Sequence, residues 1–207
     1  MKSMLKDAAV LLLITLVAGL ALGFVYQITK EPIALAEEKA AKEAYGEVFP
    51  AANDFQEMEL IWPEDENWQS TWNESGFEAV ELVNLLQALD KDQNLLGYVI
   101  TVTSHEGYGG DITFTMGISL DGTLNGISIL DISETAGLGM NAESVLKPQF
   151  ANKKVQSFTY TKQGAVSEGQ IDAISGATIT TNAFTNAVNG GLYYFQTQLG
   201  GGGYEAE

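Results

Sequence analysis

Ile112-Thr113-Phe114-Thr115-Met116-Gly117-Ile118-Ser119 and Leu124-Asn125-Gly126-Ile127-Ser128-Ile129-Leu130-Asp131-Ile132 are two β-rich runs joined across Leu120-Asp121-Gly122-Thr123. The runs are long in β-branched residues, and Asp-Gly between two such runs is a tight hairpin signal. Working outward, Val80 to Leu89 and Leu95 to Thr103 read the same way, with Asp90-Lys91-Asp92-Gln93-Asn94 as their turn. These four runs predict an antiparallel meander, with a further strand near Val155 to Thr161. Asn141 to Asn152 is a short helix candidate, and an apolar, helix-like segment runs from about Ile179 to Leu199. The expected class is α+β, with helices packed on a twisted antiparallel sheet.

Upstream, Ala8 to Ile28 is a run of 21 residues without a charge, which as a helix spans about 31 Å, enough for one bilayer crossing. Lys2 and Lys6 precede it and the chain turns acidic beyond Lys30, so the charge bias places the N-terminus inside and the rest outside the cell membrane. A cleaved signal peptide is the rival, with Ala34-Leu35-Ala36 as its cleavage site, but the apolar run exceeds the usual h-region. Gly19 and Gly23 give a G-x-x-x-G spacing suited to a neighbouring helix. Pro32 and Ile33 to Tyr45 read as a helical stalk that ends at Phe49-Pro50. Asn53 to Gly76 reads as an irregular acidic stretch whose Trp side chains pack on the domain. The expected organisation is 1–30 for the cytoplasmic start and membrane helix, 31–76 for stalk and connection, 77–199 for the folded domain and 200–207 for a flexible tail.

The chain has 207 residues, 45% of them hydrophobic, which suffices for one buried core beside the anchor. Its formal charge of −17 repels nucleic acid. With no cysteine there is no disulfide and no thiolate-held iron–sulfur cluster, and a lone His105 builds no metal site. Any redox work here depends on a different cofactor, and an organic one fits that constraint.

Asp172-Ala173-Ile174-Ser175-Gly176-Ala177-Thr178 places a small, hydroxyl-bearing turn before the last helix. Two readings stand on chemistry alone. A Ser or Thr there caps its own backbone, or the free N–H groups of the helix start hold a phosphate.

Ser175-Gly176-Ala177-Thr178 resembles the flavinylation motif of the FMN-binding domain family, in which a transferase esterifies the FMN phosphate onto the last Thr. Glu134-Thr135-Ala136-Gly137-Leu138-Gly139 resembles the flavin-site loop of the G subunit of Rnf ferredoxin:NAD oxidoreductase complexes, with Ala136 where Pro is frequent. Gly107-Tyr108-Gly109-Gly110 resembles a turn of the same subunit. The resemblance implies FMN held covalently on Thr178. It also implies cofactor contacts from Ser175, Gly176, Ala177, Glu134, Thr135, Gly137, Leu138, Gly139, Tyr108, Gly109 and Asp172. Glu134 has a cofactor reading and a loop-tying one, and Asp172 serves the attachment loop or a turn. Lys147 lies near the loop in sequence but reads more readily as solvated.

The resemblance further implies an electron-transfer subunit of a membrane complex, partnered by iron–sulfur and second flavin subunits and matured by a flavin transferase. It would be a redox subunit without a complete active site. The alternatives are the C subunit of the Na+-translocating NADH:quinone reductase and a cofactor-free, membrane-tethered binding module.

Overall fold

The computed structural model describes residues 2–62 and 68–200; the expected tail at 200–207 lies outside them except for Gly200. Contacts group the chain into two units, Met1–Lys42 and Glu43–Glu207. The first lies in helix α1 (Lys2–Val48), which runs on through Pro32. This helix is long and apolar enough to cross a membrane.

In the second unit, β1 (Asp54–Met58), β2 (Val80–Leu89), β3 (Leu95–Ser104), β4 (Ile112–Ser119) and β5 (Leu124–Ile132) form one antiparallel sheet in sequence order. The turns are built by their own side chains. Asp90 accepts the backbone N–H groups of Asp92 and Asn94, and Asp121 accepts that of Thr123. The two central strands bury Ile100, Val102, Phe114 and Met116 completely.

Helix α4 (Thr178–Gln198) crosses one face of this sheet. Its buried face alternates small and large residues, Ala183, Phe184, Ala187, Val188 and Leu192, and Phe184 stacks on Phe114 at 5.2 Å. Side chains alternate across a strand, so Met116 faces α4 while Gly117 faces the other side. There Ala44, Tyr45, Val48 and Phe49, at the end of α1, cover the second face and are themselves buried.

Three segments differ from the sequence reading. Among its described residues, the stretch from 53 to 76, expected to be irregular, holds the edge strand β1 and the short helix α2 (Trp68–Glu74). Two of its Trp residues pack inward, Trp72 against Phe77 and Trp68 stacked on Tyr193 at 5.7 Å, while Trp62 is 48% exposed. The helix expected over 141–152 is broken into a 3-10 turn (Gly139–Asn141), helix α3 (Ala142–Val145) and a second 3-10 turn (Lys147–Phe150). Pro148 lacks an N–H and disfavours helical backbone at Lys147, which breaks the ladder. The strand expected near 155–161 shrinks to β6 (Thr159–Thr161), paired in parallel with β7 (Gln170–Asp172) outside the main sheet. Asn189 takes both the N–H and the carbonyl of Phe158, so that residue has no backbone group left for a ladder.

Candidate functional site

Ile112 pairs with Ile132, so the turn between β3 and β4 and the loop after β5 leave the sheet at the same end of the strands. The N-terminus of α4 arrives beside them. Together they enclose a cavity of about 490 Å³ lined by Tyr108, Glu134, Thr135, Leu138, Gly139, Gly176, Ala177, Thr178, Ile179 and Thr180. That volume suits one small organic ligand.

The turn at 105–111 is clasped at its base. His105 Nδ1 meets Asp111 Oδ1 at 2.9 Å and its Nε2 meets Glu81 at 3.3 Å. The Asp111 hydrogen bond lifts the imidazole above its ordinary value, burial opposes this, and the charges of Asp111 and Glu81 add to the lift. At the tip, the Tyr108 ring is 71% exposed while its backbone N–H donates to Glu134 Oε1 at 2.8 Å. Glu134 therefore ties two loops, and its second oxygen, Oε2, makes no hydrogen bond among the described residues.

The loop after β5 closes on itself through Leu138 N–H to the Thr135 carbonyl and Asn141 Nδ2 to the Gly137 carbonyl. Gly139 then passes against α4 with no room for a side chain. A Cβ there would sit 2.7 Å from Thr180 Oγ1 and 2.8 Å from Glu134 Oε2.

Before α4, Ala177 N–H donates to the Ile174 carbonyl, with Gly176 at φ +78°, the arrangement of a type II turn that demands glycine at its third position. Thr181 locks that turn to the helix, accepting from Ile174 N–H at 3.1 Å and donating to the Ala177 carbonyl at 2.9 Å. Thr178 is no cap: the cap is Ala177, which has no side-chain hydrogen bond to give. Thr178 sits at the first helical position, half-buried, its hydroxyl without a partner among the described residues. The N–H groups of Thr178, Ile179 and Thr180 likewise meet no acceptor among the described residues.

This donor set fits a phosphate: three open N–H groups at the positive end of a 21-residue helix. Leu138, Ile179, Ala177 and Tyr108 supply apolar and aromatic wall for a flat ring. The residues present thus fit a phosphorylated flavin.

Four of the residues singled out in the sequence stand off the wall. Ser175 is exposed in the turn, and Gly109 and Gly137 shape their loops. Asp172 braces the approach to the turn: its carboxylate accepts from Ala165 N–H at 2.7 Å, and its backbone pairs with the Gln149 amide. Lys147 is neither solvated nor aimed at the cavity, since it is ion-paired to Glu47 and Glu143 at 2.7 and 2.6 Å. Burial works against its charge but the two carboxylates prevail, holding its pKa above the ordinary lysine value. Conversely, Ile179 and Thr180 line the cavity and carried no motif signal; their positions one and two residues past Thr178 were the only clue.

The family model of the FMN-binding domain matches residues 107–193, which contain all three wall segments. That of the RnfG N-terminal region matches 1–48, which is α1. Among curated relatives, the G subunit of the Na(+)-translocating ferredoxin:NAD(+) oxidoreductase complex of Acetobacterium woodii is 30% identical, over 94% of this chain and 93% of its own. The G subunit of the ion-translocating oxidoreductase complex of Methanosarcina acetivorans is 30% identical over 96% and 98%. Among solved structures, Shewanella oneidensis NqrC is similar at a TM-score of 0.49 and 16% identity, over 74% of this chain and 85% of that one. With relatives matching along nearly its whole length, the chain belongs to the family of G subunits of ion-translocating oxidoreductase complexes.

Proposed function

We propose that the chain is a membrane-anchored electron-transfer subunit of an Rnf-type ferredoxin:NAD+ oxidoreductase complex, carrying FMN esterified through its phosphate to Thr178 Oγ1. The observation that supports this most directly is the unpartnered, half-buried Thr178 hydroxyl beside three open helix N–H groups. Bound FMN supplies reversible uptake and release of electrons, which no side chain of this cysteine-free chain offers.

The protein's own work is holding and shielding. The α4 N-terminus offsets the phosphate charge without a basic side chain. Leu138 and Ile179 contribute apolar surface that excludes water from the ring, and the exposed Tyr108 stands at the mouth where a redox partner approaches. Among the described residues that line the cavity none form a nucleophile, base and orienter set, and substrate chemistry falls to iron–sulfur and second flavin subunits of the complex. A flavin transferase installs the cofactor. The apolar part of α1 anchors the chain, with its basic start in the cytoplasm and the flavin domain on the outer side.

In-gel flavin fluorescence of the denatured, transferase-matured protein tests the assignment. The expected outcome is a fluorescent wild-type band and a dark Thr178→Ala band, with both chains inserted in the membrane. A fluorescent Thr178→Ala band refutes attachment at Thr178, and a dark wild type refutes the covalent carrier altogether.

A further inference from the structure

Thr180 is 1% exposed, yet its hydroxyl has no hydrogen-bond partner among the described residues. Buried threonines in helices ordinarily satisfy the hydroxyl on the carbonyl four residues back. The buried Thr181 and Thr185 of the same helix do so, at 2.9 and 2.7 Å. Thr180 does not. It lines the cavity instead, across from the free Oε2 of Glu134. Both oxygens lie within 2.8 Å of the point a Gly139 Cβ would take, and they make no hydrogen bond to each other. Both oxygens open onto the cavity, so a bound ligand can take up the hydrogen bonds that no side chain makes there.

The chemistry of the pair narrows the occupant. An ionised carboxylate accepts only, and a hydroxyl both donates and accepts. The negative charge of Glu134 disfavours a phosphate oxygen directly against Oε2. What fits is a neutral edge with a donor next to an acceptor carbonyl.

We propose that Thr180 is a cofactor-contact residue. With Glu134 Oε2 it holds the imide edge of the flavin ring, the Thr180 hydroxyl donating to a ring carbonyl and the ring N–H donating to the carboxylate. This rests on the FMN reading above and deepens it. The tether on Thr178 fixes the phosphate, and a pair that no motif marks holds the ring edge. Gly139 is required because any side chain there would fill the gap between the two oxygens.

The test uses the full-length protein in detergent, matured with its flavin transferase, and compares wild type, Thr180→Val, Thr180→Ser and Glu134→Gln. Valine keeps the shape and removes the hydroxyl. Glutamine can keep the Tyr108 bond through its oxygen but turns a donor toward the ring N–H. Two readouts are taken on the attached flavin: iodide quenching of its fluorescence, and the resonance Raman bands that shift when the ring N–H is exchanged for N–D. The expected result is covalent flavin in all four chains, with severalfold greater quenching and shifted Raman bands in Thr180→Val and Glu134→Gln, and wild-type values in Thr180→Ser. Attached flavin in Thr180→Val with unchanged quenching and unchanged bands overturns the proposal. So does greater quenching with unchanged Raman bands, which would place the pair on the sugar chain instead. If Thr180→Val does not fold, Glu134→Gln decides by the same two readouts. Absence of covalent flavin from the wild type defeats the underlying FMN reading instead, and is seen separately on the gel.

Discussion

Thr181 shows how a single hydroxyl sets the geometry of a neighbour. Its oxygen serves Ile174 N–H and the Ala177 carbonyl at once, so the turn that presents Thr178 is fixed from behind. Thr181→Val leaves a buried N–H without an acceptor, and the expected loss is about 1–3 kcal/mol of stability, read as a lower urea midpoint. Covalent flavin should fall as well, although Thr178 is untouched. A variant of unchanged stability and full flavin content would contradict this. At this scale much of the candidate site was legible in the sequence: Gly176, Thr178, Glu134, Leu138 and Tyr108 all reach the cavity wall. Thr180 was not, because its isolation depends on Gly139 approaching from a loop some forty positions earlier, which local pattern does not encode.

Among elements, the turn between β3 and β4 depends on its ionic clasp. The His105 pKa is raised by Asp111 and Glu81, so the clasp contributes stability that is fully present below about pH 6.5. That contribution is lost as pH rises through the elevated folded value. The imidazole is 45% exposed, so the effect on overall stability is small. An NMR titration should give His105 a pKa above that of an unperturbed imidazole, and Asp111→Asn should bring it down; a normal wild-type value would contradict the clasp. The strands themselves were readable because alternation and turn residues agree, and β2, β4 and β5 end where the pattern ends. Edge strand β1 was not readable. Its five residues are largely polar and half-exposed, and their order comes from the ladder with β2, a partner more than twenty positions away. The broken helix at 139–150 was readable in principle from Pro148, whose effect on Lys147 outweighs the helical propensity of its neighbours.

For the molecule as a whole, the end of α1 is part of the folded domain's core. Ala44, Tyr45, Val48 and Phe49 are 2–9% exposed, and Asn125 Nδ2 donates to the Val48 carbonyl at 3.1 Å. A chain starting at Glu43 should therefore dissolve without detergent and melt cooperatively. One starting at Ala51 should lose about 1.5–3 kcal/mol for each of Val48 and Phe49, together with the cover of the second sheet face. Thermal melts of the two chains check this, and equal melting temperatures would show that the segment is dispensable.

The hydrogen bond from Tyr108 N–H to Glu134 has a consequence for how such a chain can drift over generations. It joins loops 26 positions apart, so neither loop is inherited on its own terms. Loss of Glu134 strands an amide at the other loop's tip. A lineage that has already lost it pays less for later changes at 107–110 than one that keeps it. Paired substitutions across the two loops should accordingly cost less than the sum of the single ones, so that what either loop tolerates depends on the other.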